Sequence, residues 1–403
     1  MNGTGMSKIR VGLLWHSATS GNLGVGALTI ANMAIARGVA AELGLQPEFC
    51  IIGMRDAGAR YVGEAEAQVF EVDWRALLSP RGCWRVMGQQ DCVLDIGGGD
   101  SFAEIYGLKR FFFLWWTKCI AIASGVPLLL SPQTIGPFTR GPYTQLARFA
   151  LTRARAVLAR DRQSLDALSK LAPDAHGVLA VDVAFALPYQ NRKAERGGGR
   201  IRVGVNVSGL LFHEAETGRN RFGLDVDYAR LMRCFIADLI QRPDVEVHLV
   251  THAIDASGVA GNRELAADDD GRVADELAKA FPGAIRVPTF RGPTEAKSYI
   301  SSLDFLVAGR MHACIGAFSA GVPVVPVAYS RKFSGLFGML GYDWMVPVKG
   351  TDTDHAVSFL LDCLQRRDEL AEDIEVGMTK VRPLLDAYRA ELRALFTSVT
   401  GAK

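Results

Sequence analysis

The residues best suited to chemistry gather in two short stretches. In Ala308-Gly-Arg-Met-His-Ala-Cys-Ile315 an arginine and a histidine stand two positions apart, after an apolar run and at the start of a helical pattern. Gly309 ends the strand, and Arg310 and His312 then meet the positive end of a helix dipole, where anions are favoured. A guanidinium offers a planar fork to carboxylate or phosphate, and an imidazole exchanges a proton near neutral pH. One βα unit later, Pro326-Val-Ala-Tyr-Ser-Arg-Lys332 adds the cations Arg331 and Lys332. The second stretch is Asp95-Ile-Gly-Gly-Gly-Asp-Ser-Phe102, again directly after an apolar strand. Gly97, Gly98 and Gly99 expose backbone N–H groups and let the chain approach an anion, while Asp100 and Ser101 can cap the next helix. The stretch is neither GxGxxG nor a Walker A loop. A tight strand-to-helix turn is the competing structural account.

Five weaker signals occupy equivalent places. Ser131-Pro-Gln-Thr-Ile-Gly-Pro137 presents the Gln133 amide, and Ala159-Arg-Asp-Arg-Gln-Ser164 delivers Arg160 to a sheet edge. Val205-Asn-Val-Ser208 carries Asn206, Leu249-Val-Thr-His252 ends in an imidazole, and the Gly-rich run Ser20 to Gly26 contains Asn22. Adjacent Arg and Asp are often only a solvated ion pair, and a lone histidine at a strand end is more often structural. No cluster with metal-ligand spacing stands out, so no metal is expected.

Strands separated by helices must position these loops. Ile9–Trp15, Phe49–Ile52, Cys92–Ile96, Pro127–Ser131, Ala156–Ala159 and Gly177–Val181 read as buried strands, with a helix over about 27–43. The polar, Gly-rich run Pro188–Gly199 reads as a linker, and the pattern restarts with strands at Arg202–Val207, Val245–Thr251, Ile285–Val287, Phe305–Ala308 and Val324–Val327. Helices are expected at Asp227–Ile240, Val273–Phe281 and His312–Ala320, with a helical tail from about Asp354. This alternation indicates parallel sheets. It predicts an α/β chain of two Rossmann-like doubly wound domains facing across a cleft: residues 1–188, a linker at 189–199, residues 200–353, and C-terminal helices over 354–403 that pack back on the first domain. Ligands in such sheets sit outside the carboxyl ends of the strands.

Composition narrows the function classes. The 403 residues are 49% hydrophobic and 22% charged, an ordinary globular profile. Lys+Arg 45 against Asp+Glu 43 gives +2, which excludes a general nucleic-acid footprint. The 7 cysteines are scattered without a CxxC pair, which argues against a disulfide scaffold or a Cys-rich zinc site and fits a cytoplasmic location. The run from Phe111 to Leu130 approaches membrane-span length, but Lys118 and Gly125-Val-Pro127 interrupt it. It reads as a buried helix and core strand, with a membrane-docking patch near a lipid-linked substrate as the alternative.

Taken in order, GGGDSF, SPQTIGP, ARDRQS, Asp182-Val-Ala184, GVNVS and GRMHACIGAFSAGVPVVPVAYSRK resemble the polysaccharide pyruvyl transferase family from about Gly21 to Lys332. The resemblance implies a GT-B-like fold and transfer of pyruvate from phosphoenolpyruvate, as co-substrate, onto two sugar hydroxyls to make a cyclic ketal. No further cofactor is implied. By resemblance, Arg310 and His312 match the donor-site pair and the loop Gly97–Gly99 faces the same cleft. His312 is then expected to move the proton, and Asp100 or His252 to deprotonate the acceptor. By the same resemblance residues 1–188 form the acceptor side and 200–353 the donor side; Arg310, His312, Lys332, Arg331, Arg160, His252 and Asn206 surround the donor, while Asn22, Gly97, Gly98, Gly99, Asp100, Ser101 and Gln133 line the acceptor side or the cleft loops. The partners implied are phosphoenolpyruvate and a saccharide, with a lipid-linked saccharide at the inner membrane face as one option. One departure stands out: the family's N-x-G-D element becomes Asn22-Leu-Gly24-Val25, without the acid. A nucleotide-sugar glycosyltransferase and a non-catalytic sugar- or phosphate-binding protein are the competing classes.

Overall fold

In the computed structural model, which describes residues 7–254 and 268–401, twelve strands form two wholly parallel sheets. The first contains β1 (Ser7–Leu14), β2 (Leu45–Gly53), β3 (Ala67–Glu71), β4 (Cys92–Asp95), β5 (Leu128–Gln133), β6 (Ala156–Ala159) and β7 (Gly177–Leu179), in the order β3-β2-β1-β4-β5-β6-β7. The second contains β8 (Ile201–Asn206), β9 (Val245–Leu249), β10 (Ile285–Arg286), β11 (Phe305–Ala308) and β12 (Val324–Pro326), in the order β10-β9-β8-β11-β12. Central strands such as Cys-Val-Leu-Asp and Phe-Leu-Val-Ala are buried along their whole length. Strands covered on both faces are expected to be continuously apolar. In register, Leu13 of β1 lies between Ile51 of β2 and Leu94 of β4, so strand order reverses beside β1. The equivalent reversal in the second sheet lies beside β8, which pairs with both β9 and β11.

The two sheets direct their carboxyl ends at one another. Loop residues Asn22 and Ala253 form an antiparallel bridge between them. The Leu23 N–H donates to the His252 carbonyl at 3.0 Å and the Ile254 N–H to Gly21 at 3.0 Å. The chain crosses from the first sheet to the second between β7 and β8. The helix Arg367–Thr400 lies against the first domain, where the Tyr388 hydroxyl donates to Asn32 at 2.5 Å and pairs with Ser131 at 2.8 Å. The core helix Leu23–Glu42 lies between the sheets, largely buried. Among the described residues it is the one helix long and apolar enough to cross a membrane by length and composition.

Several elements differ from the sequence-based expectation. Trp15 leaves β1 instead of ending it, with φ 59°. Edge strand β3 and the helices Gly141–Arg153, Gly209–Glu216, Pro293–Ile300 and Arg331–Leu340 were not anticipated. The helix expected from Val273 begins at Asp270, where the Asp269 carboxylate caps Gly271. The apolar run at 111–130 forms the helix Leu108–Ala123 and strand β5, and Lys118 is fully buried against Asp95 at 2.7 Å.

Candidate active site

The loops after β4, β6 and β7 meet the loops after β11 and β12 in a shared cleft. His312 occupies the second position of the helix Met311–Ser319, which follows β11 through Gly309 and Arg310. Its Nε2 lies 3.7 Å from the Asp182 carboxylate and has no hydrogen-bond partner. Asp182, in the turn after β7, also accepts from Arg160 Nη1 at 2.8 Å and from the Ala184 N–H at 2.9 Å. Burial would raise the Asp182 carboxyl, but His312, Arg160 and that N–H outweigh it and hold it at about 2. A carboxylate that stays ionised thus faces the imidazole of the other domain.

Asp100 and Lys332 form the second contact across the cleft, at 3.4 Å. Asp100 also accepts from the Tyr106 hydroxyl at 2.8 Å. Burial opposes ionisation of Asp100, but Lys332, Arg160 and Tyr106 lower it overall. Burial likewise opposes charge on Lys332, but Tyr329 and Asp100 raise it overall. Arg160 is almost wholly buried beside both, and its Nε has no hydrogen-bond partner. Arg331 reaches across to the Gly136 carbonyl at 3.1 Å. His312, Asp182, Arg160, Asp100 and Lys332 therefore form one continuous charged floor.

The glycine loop is shaped as much by its neighbours as by any ligand. Gly97, Gly98 and Gly99 all have positive φ, a conformation that L side chains rarely adopt. The Gly97 N–H donates to Asp95 at 2.7 Å and the Gly99 N–H to Ile96 at 2.8 Å, so two of the three donors hold the turn itself. Ser101 accepts from Arg110 at 2.5 Å. Gln133 is buried below the loop, donating to the Asp95 and Ser131 carbonyls. It supports the loop from behind and does not line the cleft.

Three other expected site residues, Arg310, Asn206 and His252, are buried, the first two among internal partners. The Arg310 guanidinium bonds Asp270 at 2.6 Å and Asp268 at 2.8 Å. Burial works against its charge, but Asp270 and Asp268 hold it firmly protonated. Asp270 further accepts from Asn206 Nδ2 and from the N–H groups of Gly209, His252 and Ala253. Arg310 and Asn206 are thus tied into a knot joining the ends of β8, β9 and β11. His252 is buried beside them, and burial followed by the neighbouring His312 pushes its imidazole down to about 3. Its side chain stays neutral behind the cleft wall.

On the first-domain side, a cavity of about 450 Å³ is lined by His16, Val25, Gly97, Ser101, Tyr106 and Arg110, among others. Asn22 caps the helix Leu23–Glu42 by accepting the Gly24 N–H at 3.0 Å. Val25 presents an apolar surface to the cavity. His16, Tyr106 and Asp182 were not singled out as site residues by sequence. Burial pushes His16 down to about 3, and its ring bridges the Leu14 carbonyl and Asn32 Nδ2. Because Nδ1 faces a carbonyl, Nδ1 carries the proton and Nε2 accepts from the amide.

Two predictions arise here. His16 and His252 have folded pKa values below their unfolded value of about 6.5, so below that pH the unfolded chain binds more protons. Their stabilisation is complete above about pH 6.5 and is lost as pH falls towards 3, by up to about 1.4 kcal/mol per pH unit for each histidine. Urea midpoints should fall steadily from about pH 7 to about pH 5, and His16→Asn should flatten that slope. The second concerns Gly24, where an added methyl would lie 2.3 Å from His312 Nδ1. Gly24→Ala should displace the imidazole and lower turnover by roughly 10²-fold, with the urea midpoint little changed.

Among known protein families, the model described as polysaccharide pyruvyl transferase matches residues 32–331. The amylovoran biosynthesis protein AmsJ of Erwinia amylovora is 20% identical over 269 residues, 63% of this chain and 60% of that protein. Among solved structures, HepE of Anabaena in complex with UDP-glucose superimposes with a TM-score of 0.55 at 11% identity, covering 97% of this chain and 100% of that one. A trehalose-phosphate synthase of Burkholderia vietnamiensis gives 0.57 at 11% identity, with 98% of each chain covered. A putative UDP-N-acetylglucosamine 2-epimerase of Listeria monocytogenes gives 0.55 at 13% identity, with 91% of each covered. At these identities the structural likeness defines the two-domain GT-B architecture and nothing about substrate.

Proposed function

The chain belongs to the polysaccharide pyruvyl transferase family, and from that premise we propose that it transfers the pyruvyl group of phosphoenolpyruvate to a saccharide and closes a cyclic ketal. What carries the reading is the charged floor, where Arg160 stands between the Asp182 that faces His312 and the Asp100 that pairs with Lys332. Phosphoenolpyruvate bears a carboxylate and a phosphate, so it needs fixed cations and donors at close range. Arg160 Nε and Ser330 Oγ, both buried without an internal partner, are suited to that task together with Lys332. The start of the helix Arg331–Leu340 adds its dipole. Arg310 holds the donor side in shape through Asp270 rather than contacting the anion itself.

In the proposed reaction His312 delivers a proton to the methylene carbon, and a sugar hydroxyl adds to the adjacent carbon. Asp100, ionised beside Lys332, takes the proton of that hydroxyl. A second hydroxyl then displaces phosphate at the same carbon, its proton leaving with the phosphate. The methyl ketal carboxylate and inorganic phosphate are the products. The fixed cations stabilise the departing phosphate. Asp182 acts on His312 as a positioning residue: it orients the imidazole.

Incubation with phosphoenolpyruvate and a panel of lipid-linked and nucleotide-linked saccharides tests the reading. The expected result is acceptor-dependent phosphate release with a pyruvyl mass increment on the acceptor. Consumption of a nucleotide sugar without phosphoenolpyruvate turnover would overturn it in favour of glycosyl transfer. The helix Met311–Ser319 contains no carboxylate of the kind that holds a nucleotide ribose.

A further inference from the structure

Charge is distributed very unevenly along this near-neutral chain. Residues 105–160 contain no Asp or Glu, yet carry Lys109, Arg110, Lys118, Arg140, Arg148, Arg153, Arg155 and Arg160. Residues 74–90 also lack acids and carry Arg75, Arg81 and Arg85. Apart from Lys118 and Arg160, all of these cations are exposed. The same two segments contain Trp74, Trp84, Trp115 and Trp116, four of the chain's 6 tryptophans.

The fold brings the 74–90 segment and the helix Leu108–Ala123 onto one face. Trp74 stacks on Phe112 at 6.0 Å and Phe112 on Trp116 at 5.9 Å, joining the short helix Trp74–Leu78 to the helix Leu108–Ala123. Leu108, Phe112, Trp115, Trp116 and Cys119 recur at helical spacing on the side of that helix turned from the core. Large apolar side chains stand out from this face: Leu78 is 71% exposed, Leu108 65% and Trp74 42%. Exposed leucine and tryptophan within a cationic rim match the interface of an anionic bilayer, where amphipathic rings sit at headgroup level and Lys/Arg meet lipid charge.

We propose that this face docks on an anionic lipid bilayer. Charge selects this occupant over a second copy of the chain, because a two-fold contact would set one cationic rim against another. The cavity beside the glycine loop is partly walled by Lys109, Arg110, Phe113 and Leu114 of the same helix. A substrate anchored in the bilayer would therefore enter the first-domain side directly. Docking itself does not depend on which reaction the cleft performs.

The test is co-sedimentation of the full chain with phosphatidylcholine vesicles, with and without phosphatidylglycerol. The expected result is pelleting with the anionic vesicles only, reversed by salt. Arg75→Glu with Arg81→Glu should weaken the partition by about twentyfold or more. Leu78→Ser with Leu108→Ser should also weaken it, and both variants should melt at the wild-type temperature because the changed side chains lie at the surface. Absence of pelleting, equal pelleting on both vesicles, or undiminished pelleting of both double variants would overturn the proposal. So would a wild-type dimer in solution that the leucine variants dissociate, since the face would then be covered by a second copy.

Discussion

His312→Asn should lower phosphoenolpyruvate turnover by about 10²–10⁴-fold, the range associated with a positioned proton-transfer group, while leaving the melting temperature essentially unchanged. The imidazole is partly exposed at the head of its helix, and its Nε2 has no hydrogen-bond partner. Its removal therefore breaks no internal hydrogen bond of that nitrogen. Asparagine keeps a polar group of similar size without the exchangeable proton. A variant that folds and turns over at the wild-type rate would remove His312 from the reaction. A variant with normal turnover but weakened phosphoenolpyruvate binding would instead make His312 a ligand of the donor.

The largest expected effect on stability comes from Lys118→Ala. Lys118 and Asp95 are both fully buried and meet at 2.7 Å below the glycine loop. Burial lowers the Lys118 ammonium and raises the Asp95 carboxyl, with each partner opposing the shift of the other. Removing the lysine leaves a carboxylate with no compensating charge in an apolar interior, which costs about 3–5 kcal/mol. For a domain of this size that lowers Tm by roughly 10 °C. Lys118→Met combined with Asp95→Asn removes both charges and keeps an acceptor for the Gly97 N–H, so most of the loss should be recovered. If Lys118→Ala alone melts at the wild-type temperature, the pair is not a structural charge pair.

The legible parts of the fold were those governed by local patterns. Buried parallel strands are continuous apolar runs, so β1, β4, β8 and β11 were readable, and with them the glycine, Arg310 and His312 loops. Edge strand β3, Ala-Gln-Val-Phe-Glu, is mostly uncovered and offers no such run. Arg310 was legible as a cation but not as a committed one. Its partner Asp270 lies 40 residues earlier at the end of three consecutive aspartates, a run that resembles a solvated helix cap. Asp182 was visible only as part of a turn, because its contact with His312 exists only once two domains face each other. Lys118 is legible in the sequence only as an interruption in an apolar segment, because its partner Asp95 lies in a neighbouring strand.

The antiparallel bridge between Asn22 and Ala253 has a consequence for motion. Its two backbone hydrogen bonds act with the Arg331–Gly136 and Lys332–Asp100 contacts as a clasp on the mouth between the sheets. At about 0.5–1.5 kcal/mol net for each, these four contacts add roughly 2–6 kcal/mol to the apolar core that already joins the two sheets. Asp100 is itself a clasp residue and Gly24, next to the bridge, packs against His312, so a parting of the sheets would also take the candidate site apart.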